Sequence, residues 1–212
     1  MEIAEHSDLV VFAAQKIKQG FEKFANIKNE VSIRPQGLYK VNRYRSAADQ
    51  SQARRDLRLM LNLKYDAHII IAVGFGDERK GIDLFADIAQ KVISKISNTY
   101  FIWIGNIDIN FFSSNKNKQH VRCVGHKDDT DLFYAGADIF ALTSREDPFP
   151  SVVMEAMDVG LPVVGFEGAG GFESLLHKGA GLLAPSENTC IFSEKICKLL
   201  ENQNFARELG KL

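Results

Sequence analysis

From Tyr65 onward, short apolar runs alternate with segments whose apolar residues recur at helical spacing, and this alternation limits the fold more than any other feature. Each run is apolar almost throughout rather than at every second position, which is typical of strands buried on both faces. Such strands, separated by helices, predict a parallel sheet with helices on both faces. The expected strands are His68–Val73, Tyr100–Ile104, Val121–Val124, Asp138–Leu142, Pro162–Phe166 and Gly181–Leu183.

Helical segments fit between most of these strands, so the sequence predicts an α/β fold with a doubly wound, Rossmann-like sheet. The clearest apolar stripe runs from Ile82 to Ile96. Further helices are expected at 129–134, 151–159, 171–177 and 189–201. In such a sheet, ligands bind outside the carboxyl ends of the strands. The loops that should share this rim are 74–81, 105–110, 125–128, 143–150 and 167–171.

The composition is that of an ordinary globular protein and excludes several classes of function. Of the 212 residues, 45% are hydrophobic and 25% are charged, which is not the composition of a disordered or fibrous chain. With 26 basic and 27 acidic side chains, the net charge of -1 provides no basic surface for nucleic acid. The 3 cysteines show no CxxC spacing. The N-terminal residues Met1-Glu2 are acidic, whereas the start of a signal peptide is basic. We therefore expect a cytoplasmic protein with reduced thiols.

The first 65 residues follow a different pattern. A strand at Leu9–Ala13, a helix at Gln15–Phe24 and a strand at Val31–Arg34 form one βαβ unit, and a charged helix follows at Ala47–Leu61. In that helix Leu57, Met60 and Leu61 are expected to pack. One βαβ unit cannot bury both faces of its strands alone. It should belong to the same sheet, to a second domain or to a partner chain.

The segment Val73–Gly81, between the expected strand His68–Val73 and the helix that follows it, combines glycines with adjacent basic residues. Gly76 would let the backbone turn and approach a ligand. Arg79 and Lys80 stand just before a helix, where they could meet phosphate oxygens beside free N–H groups. The spacing is neither that of a P-loop nor GxGxxG. The alternative interpretation is a tight turn with two solvated basic residues.

The segment Ser144–Met157 leads from a strand end through a loop with two prolines into a helix. Pro150 suits the start of a helix and Ser151 can cap it, so that free N–H groups at the rim could bind a diphosphate. Glu155, about one turn into the helix, suits the hydroxyls of a ribose better than a phosphate. Asp147 could accept hydrogen bonds from sugar hydroxyls. The alternative is an acidic loop with favourable charge near a helix N-terminus.

Two weaker candidates complete the predicted rim. The small residues of Gly165–Glu173 would let backbone amides reach a ligand, although tight packing explains them nearly as well. His126 lies in a rim loop and is a candidate ligand-binding residue, but the histidines show no metal spacing. No Ser/His/Asp order and no Cys/His pair supports nucleophilic hydrolysis.

Taken in order, these segments resemble the C-terminal, nucleotide-sugar-binding half of a retaining glycosyltransferase of family 4 with the two-domain GT-B fold. The resemblance covers roughly residues 31–210 and is specific, because several motifs occur in the right order at the right separations. Pro35-Gln36-Gly37-Leu38 is similar to the Pro-Asn-Gly segment near the junction of that fold's halves. The other matching segments are Arg79–Phe85, Ala137–Pro150, Val153–Met157 and Gly160–Val164.

The resemblance implies roles for individual residues, of which Lys80, Asp147 and Glu155 are the catalytic candidates. Lys80 matches the lysine that holds the donor diphosphate, and Glu155 matches the second acid of the family's Glu-x7-Glu motif, which binds the ribose hydroxyls. Asp147 stands where the first acid faces the transferred sugar, and it is one methylene shorter than the family's glutamate. The implied backbone contacts to sugar and phosphate come from Pro148, Phe149, Pro150, Ser151 and Val152.

One departure concerns the phosphate site. The family's arginine five residues before the lysine is replaced by Phe75, and Arg79 is the candidate substitute. By resemblance, the parent enzyme transfers a sugar from a UDP- or GDP-sugar to an acceptor hydroxyl with retention at the anomeric carbon. It requires no cofactor and no obligatory metal.

The resemblance also divides the chain. Residues 1–36 would be a remnant of the N-terminal, acceptor-binding half, 37–65 an inter-domain linker and helix, and 66–212 the donor-binding domain. The acceptor, a glycan or a lipid-linked sugar, would bind the missing half, and the parent could associate peripherally with the inner membrane face. We therefore expect a fragment with weak donor binding and little turnover. A sugar-nucleotide epimerase, a phosphorylase-like domain, and a non-catalytic nucleotide-binding module or homodimer joined through the N-terminal segment remain open.

Overall fold

The computed structural model describes residues 6–210, apart from the side chain of Lys178, and these residues form two parallel sheets with helices around them. The strands are β1 (Leu9–Phe12), β2 (Glu30–Ile33), β3 (His68–Val73), β4 (Thr99–Ile104), β5 (Val121–Cys123), β6 (Ile139–Leu142), β7 (Val163–Phe166) and β8 (Gly181–Ala184). The α-helices are α1 (Gln15–Glu22), α2 (Ala47–Met60), α3 (Ile82–Ile93), α4 (Ile109–Phe112), α5 (Asp131–Gly136), α6 (Ser151–Asp158), α7 (Glu173–Leu175), α8 (Thr189–Glu201) and α9 (Gln203–Leu209).

Strands β3 to β8 form one parallel sheet in the order β5-β4-β3-β6-β7-β8. Strand β3 pairs with β4 on one side, where His68 lies opposite Thr99, and with β6 on the other, where Ile70 lies opposite Ile139. The strand order therefore reverses beside β3, which is the mark of a doubly wound sheet, and the predicted fold is confirmed. The loops after β3 and after β6 flank this reversal point, where ligands bind in folds of this kind.

Helices cover the sheet in two groups. Helix α3 packs against α8, and α2 packs against α5. The two pairs lie on opposite faces of the large sheet, because right-handed crossovers that run in opposite directions along a sheet place their helices on opposite faces. Phe85 and Trp103 meet edge to face in the core, with ring centroids 5.4 Å apart. Arg58 of α2 is also buried, and it donates to the Ala67 carbonyl and, at 2.7 Å, to the Asp138 carboxylate. Among residues 6–210, no helix has the length and apolar character needed to cross a membrane.

The first two strands do not join this sheet. Strands β1 and β2 form a separate parallel pair, with Leu9 opposite Glu30. Val11 is 49% exposed and Ile33 is 37% exposed, so the pair leaves apolar side chains in contact with solvent. Of the three predicted placements of this βαβ unit, membership of the large sheet is wrong, because the described edges of that sheet are β5 and β8. A second domain or a partner chain stays a prediction.

Several local predictions differ from the structure. Leu57 and Leu61 are buried as expected, but Met60 is 49% exposed because it lies off the face of α2 that packs against α5. The helix predicted at 171–177 is reduced to α7, and a π-turn follows in which Gly179 has a φ of 101°. The sequence pattern does not predict α4 or α9, since each is too short to display a helical period.

Candidate functional site

The loops after β3 and β6 meet through an ion pair at the reversal point of the sheet. Lys80 Nζ lies 2.5 Å from Asp147 Oδ2, and only 15% of the lysine side chain and 9% of the aspartate side chain are exposed. Ser144 Oγ lies 3.5 Å from the same carboxylate oxygen. These two loops therefore share one rim, as predicted, and the lysine expected to hold a diphosphate contacts the acid expected to face a sugar.

Hydrogen bonds fix Lys80 within its own loop, after β3, and against the loop after β6. Its N–H donates to Asp77 Oδ1 at 2.8 Å, and its carbonyl accepts from Thr143 Oγ1 at 3.1 Å. Gly81 has a φ of 68°, and a Cβ there would lie 2.1 Å from the Thr143 carbonyl oxygen, so only glycine fits at this point. The lysine stem passes over Gly74, whose missing side chain leaves room for it. The ammonium group is thereby directed to the rim.

The loop at 167–171 packs against the acidic side of the pair. The Asp147 N–H donates to the Ala169 carbonyl at 2.7 Å. A Cβ on Gly170 would lie 1.7 Å from the Asp147 carbonyl oxygen. Small residues here let two backbones approach closely. The structure thus gives this loop a packing role, and contact of its amides with a ligand stays a prediction.

We expect Gly170→Ala to lower the free energy of unfolding by about 1–3 kcal/mol, because the added methyl group must push the Asp147 loop away. Gly168→Ala in the same loop is the matched control, since no atom lies within 4 Å of its added Cβ. The control should lose only about 1 kcal/mol through its positive φ of 86°. Urea unfolding measures both variants, and equal losses would contradict the packing role.

Helix α6 begins directly after the acidic loop. Pro150 is its N-cap, with φ -70° and ψ 117°, and makes no side-chain cap bond. Ser151 is the first helical residue, so the expectation that it caps the helix is wrong: its backbone is already helical, whereas a capping residue is not. Within residues 6–210, the N–H groups of Ser151 and Val152 have no hydrogen-bond partner, and the first amide bonded is that of Val153. Two donors at the rim are therefore available to an anion.

Glu155 lies about one turn into α6, roughly 6 Å along the axis from Ser151. It borders a cavity of about 200 Å³ whose lining includes Asp128 of the loop after β5 and Tyr134 of α5. Tyr134 is 1% exposed. Its burial, and then the charge of Glu155, raise the pKa of Tyr134 well above its usual range. The acid predicted to bind ribose thus borders a cavity beside a rim loop, one turn beyond the free amides.

Two predicted binding residues stand apart from this arrangement. Arg79 is exposed, and its guanidinium donates to the Glu146 carbonyl at 3.0 Å. The His126 side chain is 68% exposed and lies 3.4 Å from Asp128 through Nε2 and Oδ1. Both side chains are on the rim, but among the described contacts neither bonds the Lys80 ammonium or the Asp147 carboxylate. Their roles toward a ligand stay predictions.

Other predicted residues have packing roles in the structure. Gly76 is buried, and a Cβ there would lie 2.7 Å from Ile82 Cδ1. Phe149 is 8% exposed and Pro150 is buried, whereas Pro148 is exposed. The contact to a sugar that was inferred for this loop concerns its backbone, and the Pro148 carbonyl already accepts from the Gly171 N–H at 2.9 Å. No described contact tests that role.

Sequence reasoning missed the structural importance of Arg145. Its guanidinium makes a bidentate pair with Asp83, at 2.9 and 2.8 Å, and a further bond to Glu187 at 2.9 Å. It also donates to the Glu78 carbonyl. These bonds, chiefly the one to Asp83, raise the pKa of Arg145 above its already high value. Arg145 thereby links the loop after β6 to the loop after β3 and to the start of α3. Its position close to the end of a strand is the feature of the sequence that could have indicated this role.

Within residues 6–210, no group of three or more His, Cys, Asp or Glu side chains is placed to hold a metal ion. The expectation of a reaction without an obligatory metal stays a prediction, because it concerns the chemistry of a bound substrate.

Comparison with known proteins adds an independent line of information. Residues 67–202 match the family model described as Glycosyl transferases group 1. An uncharacterized glycosyltransferase of Methanocaldococcus jannaschii, MJ1178, is 24% identical over 210 residues, which is 97% of this chain and 53% of the relative. The N,N'-diacetylbacillosaminyl-diphospho-undecaprenol alpha-1,3-N-acetylgalactosaminyltransferase of Campylobacter jejuni is 29% identical over 154 residues, 71% of this chain and 40% of the relative. The chain thus spans about half the length of these relatives or less.

Solved structures share the fold. WaaG, a glycosyltransferase involved in lipopolysaccharide biosynthesis, superposes with a TM-score of 0.82 at 20% identity, covering 95% of this chain and 56% of WaaG. The Anabaena protein Alr3699/HepE, solved in complex with UDP-glucose, gives a TM-score of 0.83 at 19% identity, covering 98% of this chain and 58% of HepE. These neighbours are GT-B proteins, so the predicted half of a GT-B fold is confirmed.

Proposed function

Because this chain belongs to the group 1 glycosyl transferases, we propose that residues 66–212 are the donor-binding half of an enzyme that transfers a sugar from a nucleoside-diphosphate sugar to an acceptor hydroxyl with retention. One observation carries the proposal. A mostly buried ammonium group, that of Lys80, stands at the reversal point of the sheet, held by the loop that leads into α6 and its two free N–H groups. A cation and a helix N-terminus together favour a dianionic ligand such as a diphosphate.

The proposed chemistry is stabilisation of the leaving group. As the bond from the sugar to the diphosphate breaks, negative charge builds up on the phosphate oxygens. The Lys80 ammonium and the N–H groups of Ser151 and Val152 would stabilise that charge as preorganised donors. The proposal needs neither a side-chain nucleophile nor a metal ion for this step.

Donor binding requires Lys80 to exchange partners. In the free chain its ammonium is paired with Asp147. A diphosphate carries more charge than a carboxylate and can also accept from the amides of α6, so it would displace Asp147 from the ammonium. Asp147 then becomes free to accept hydrogen bonds from the transferred sugar. Glu155 binds the ribose hydroxyls from the next turn of the helix.

The relatives support a choice of substrates. The Anabaena neighbour was solved with UDP-glucose, which favours a UDP-sugar as donor, with a GDP-sugar as the alternative. The name of the Campylobacter relative includes a diphospho-undecaprenol, which favours a lipid-linked sugar or glycan as acceptor. We place that acceptor on the N-terminal half to which residues 1–36 would belong. An enzyme of this type would act in the cytoplasm, at the inner face of the membrane.

A thermal-shift panel of UDP, GDP, ADP, their sugars and NAD tests the donor class on the full chain. We expect UDP or GDP to raise the melting temperature by about 5–10 °C at a ligand concentration of about 100 times Kd, because a ligand that binds only the folded state stabilises it. Stabilisation by NAD alone would indicate a plain dinucleotide-binding domain and overturn the proposal. Interconversion of donor sugars without an acceptor would indicate an epimerase instead.

A further inference from the structure

Tyr134 is a buried polar residue that the proposed chemistry does not use. Its side chain is 1% exposed, and its hydroxyl makes no hydrogen bond to any atom of residues 6–210. A buried hydroxyl without a hydrogen-bond partner costs free energy of folding, so its presence needs an explanation. One explanation is a partner that the hydroxyl gains when a ligand binds. The ring borders the cavity of about 200 Å³ that also contains Glu155. The unsatisfied hydroxyl is therefore next to the acid predicted to hold a ribose.

The hydroxyl and the Glu155 carboxylate influence each other without meeting in hydrogen-bond geometry. After burial, the charge of Glu155 is the main cause of the raised pKa of Tyr134, so the phenol stays protonated and able to donate near neutral pH. The two groups are close neighbours, but they do not meet with the geometry of a formed hydrogen bond. A small movement of the glutamate side chain would bring the two groups together.

The other charges around the cavity already have partners. Lys40 lies 3.1 Å from Asp131, and Asp158 accepts from the Asn42 N–H at 2.7 Å. In the part of the chain that the structure describes, Glu155 has no ion pair. It is therefore the acid on this cavity that can be turned toward a ligand without breaking an existing bond.

We propose that Tyr134 is a positioning residue: when a nucleoside diphosphate occupies the cavity, the Tyr134 hydroxyl donates to one oxygen of Glu155 and leaves the other oxygen facing the sugar hydroxyls of the nucleoside. The inference rests on the proposed function. In the free chain, water can solvate the half-buried Glu155 carboxylate. A bound nucleotide removes that water, and a hydrogen bond from a buried phenol then becomes stronger because the surroundings are less polar.

Tyr134→Phe tests the inference because it removes only the hydroxyl. The melting temperature should stay unchanged or rise, since no bond is lost in the free chain. The affinity for UDP or GDP, whichever binds more tightly, should fall about tenfold in calorimetry. The affinity for inorganic pyrophosphate should not change, because Lys80 and the α6 amides bind that part. Tyr100→Phe is the matched control, since Tyr100 lies at the end of β4 remote from the rim.

A double variant separates positioning from a general effect of the ring. If the hydroxyl acts through Glu155, then Tyr134→Phe in a Glu155→Gln background should cause little further loss of nucleotide affinity. A fall in melting temperature accompanied by weaker pyrophosphate binding would assign Tyr134 a structural role and overturn the inference. Unchanged nucleotide affinity in Tyr134→Phe would overturn it while leaving the donor-binding proposal intact. If the unaltered chain binds neither UDP nor GDP, both proposals fail.

Discussion

Lys80→Met should weaken the binding of a nucleoside diphosphate by about 30-fold to 1,000-fold, because it removes a charge-assisted contact worth about 2–4 kcal/mol. Methionine keeps an apolar stem over Gly74, so the change concerns the charge more than the packing. The variant should also lose about 3 kcal/mol of stability, since Asp147 is left mostly buried without its partner. Isothermal titration with UDP and GDP measures the affinity, and urea unfolding measures the stability.

The two effects can be separated with a second variant. Lys80→Met combined with Asp147→Asn removes the unpaired carboxylate as well, so it should recover most of the lost stability but only a minor part of the lost affinity, through relief of charge repulsion. Unchanged nucleotide affinity in the single variant would remove Lys80 from the phosphate site. Full recovery of affinity in the double variant would mean that the single substitution acts through the unpaired Asp147 carboxylate and not through the lost ammonium group.

Asp147→Asn should act in the opposite direction on diphosphate binding. The carboxylate occupies the Lys80 ammonium in the free chain, so its neutralisation should raise the affinity for UDP or GDP by about tenfold. The additional affinity that a sugar contributes to the donor should fall, because the group proposed to accept from the sugar hydroxyls is weakened. Titration of the nucleotide and of its sugar against the same variant measures both changes.

The control for this variant is Asp56→Asn, which removes the same charge from helix α2. Asp56 accepts from Gln52 Nε2 at 2.7 Å and borders neither the ion pair nor the cavity beside Glu155. It should change nucleotide affinity by no more than about twofold, through long-range charge alone. An equal gain in both variants would mean that only net charge matters. No gain in Asp147→Asn would mean that the ion pair does not compete with the diphosphate.

Much of the fold follows from patterns that are local in the sequence. The run His68–Val73 is apolar after its first residue and is followed by a glycine, and the structure has a strand with those bounds. Helix α8 likewise matches the predicted 189–201. Where a pattern was short or weakly periodic, the prediction failed, as with α9 and the helix expected at 171–177. In those segments packing and glycine geometry decide the backbone more than periodicity does.

The candidate site was predicted less completely. Motif resemblance selected Lys80, Asp147 and Glu155, but it did not indicate that the first two are bonded to each other or that Tyr134 lies against the third. It assigned Ser151 a capping role that its helical backbone does not allow. It gave Arg145 no role, although this residue ties two loops together. All these relations join residues that are adjacent only after folding.

From the sequence alone one can infer alternating strands and helices, a parallel sheet and a basic loop facing an acidic one. These features depend on side-chain periodicity and glycine placement, which are patterns within a few consecutive residues. That Lys80 touches Asp147, 67 positions away, depends on β6 pairing with β3 rather than with β5. Strand order is settled by which buried faces pack together, a property of the whole assembled core. Only the tertiary structure therefore decides where the ion pair, the free amides of α6 and the Tyr134 hydroxyl near Glu155 lie.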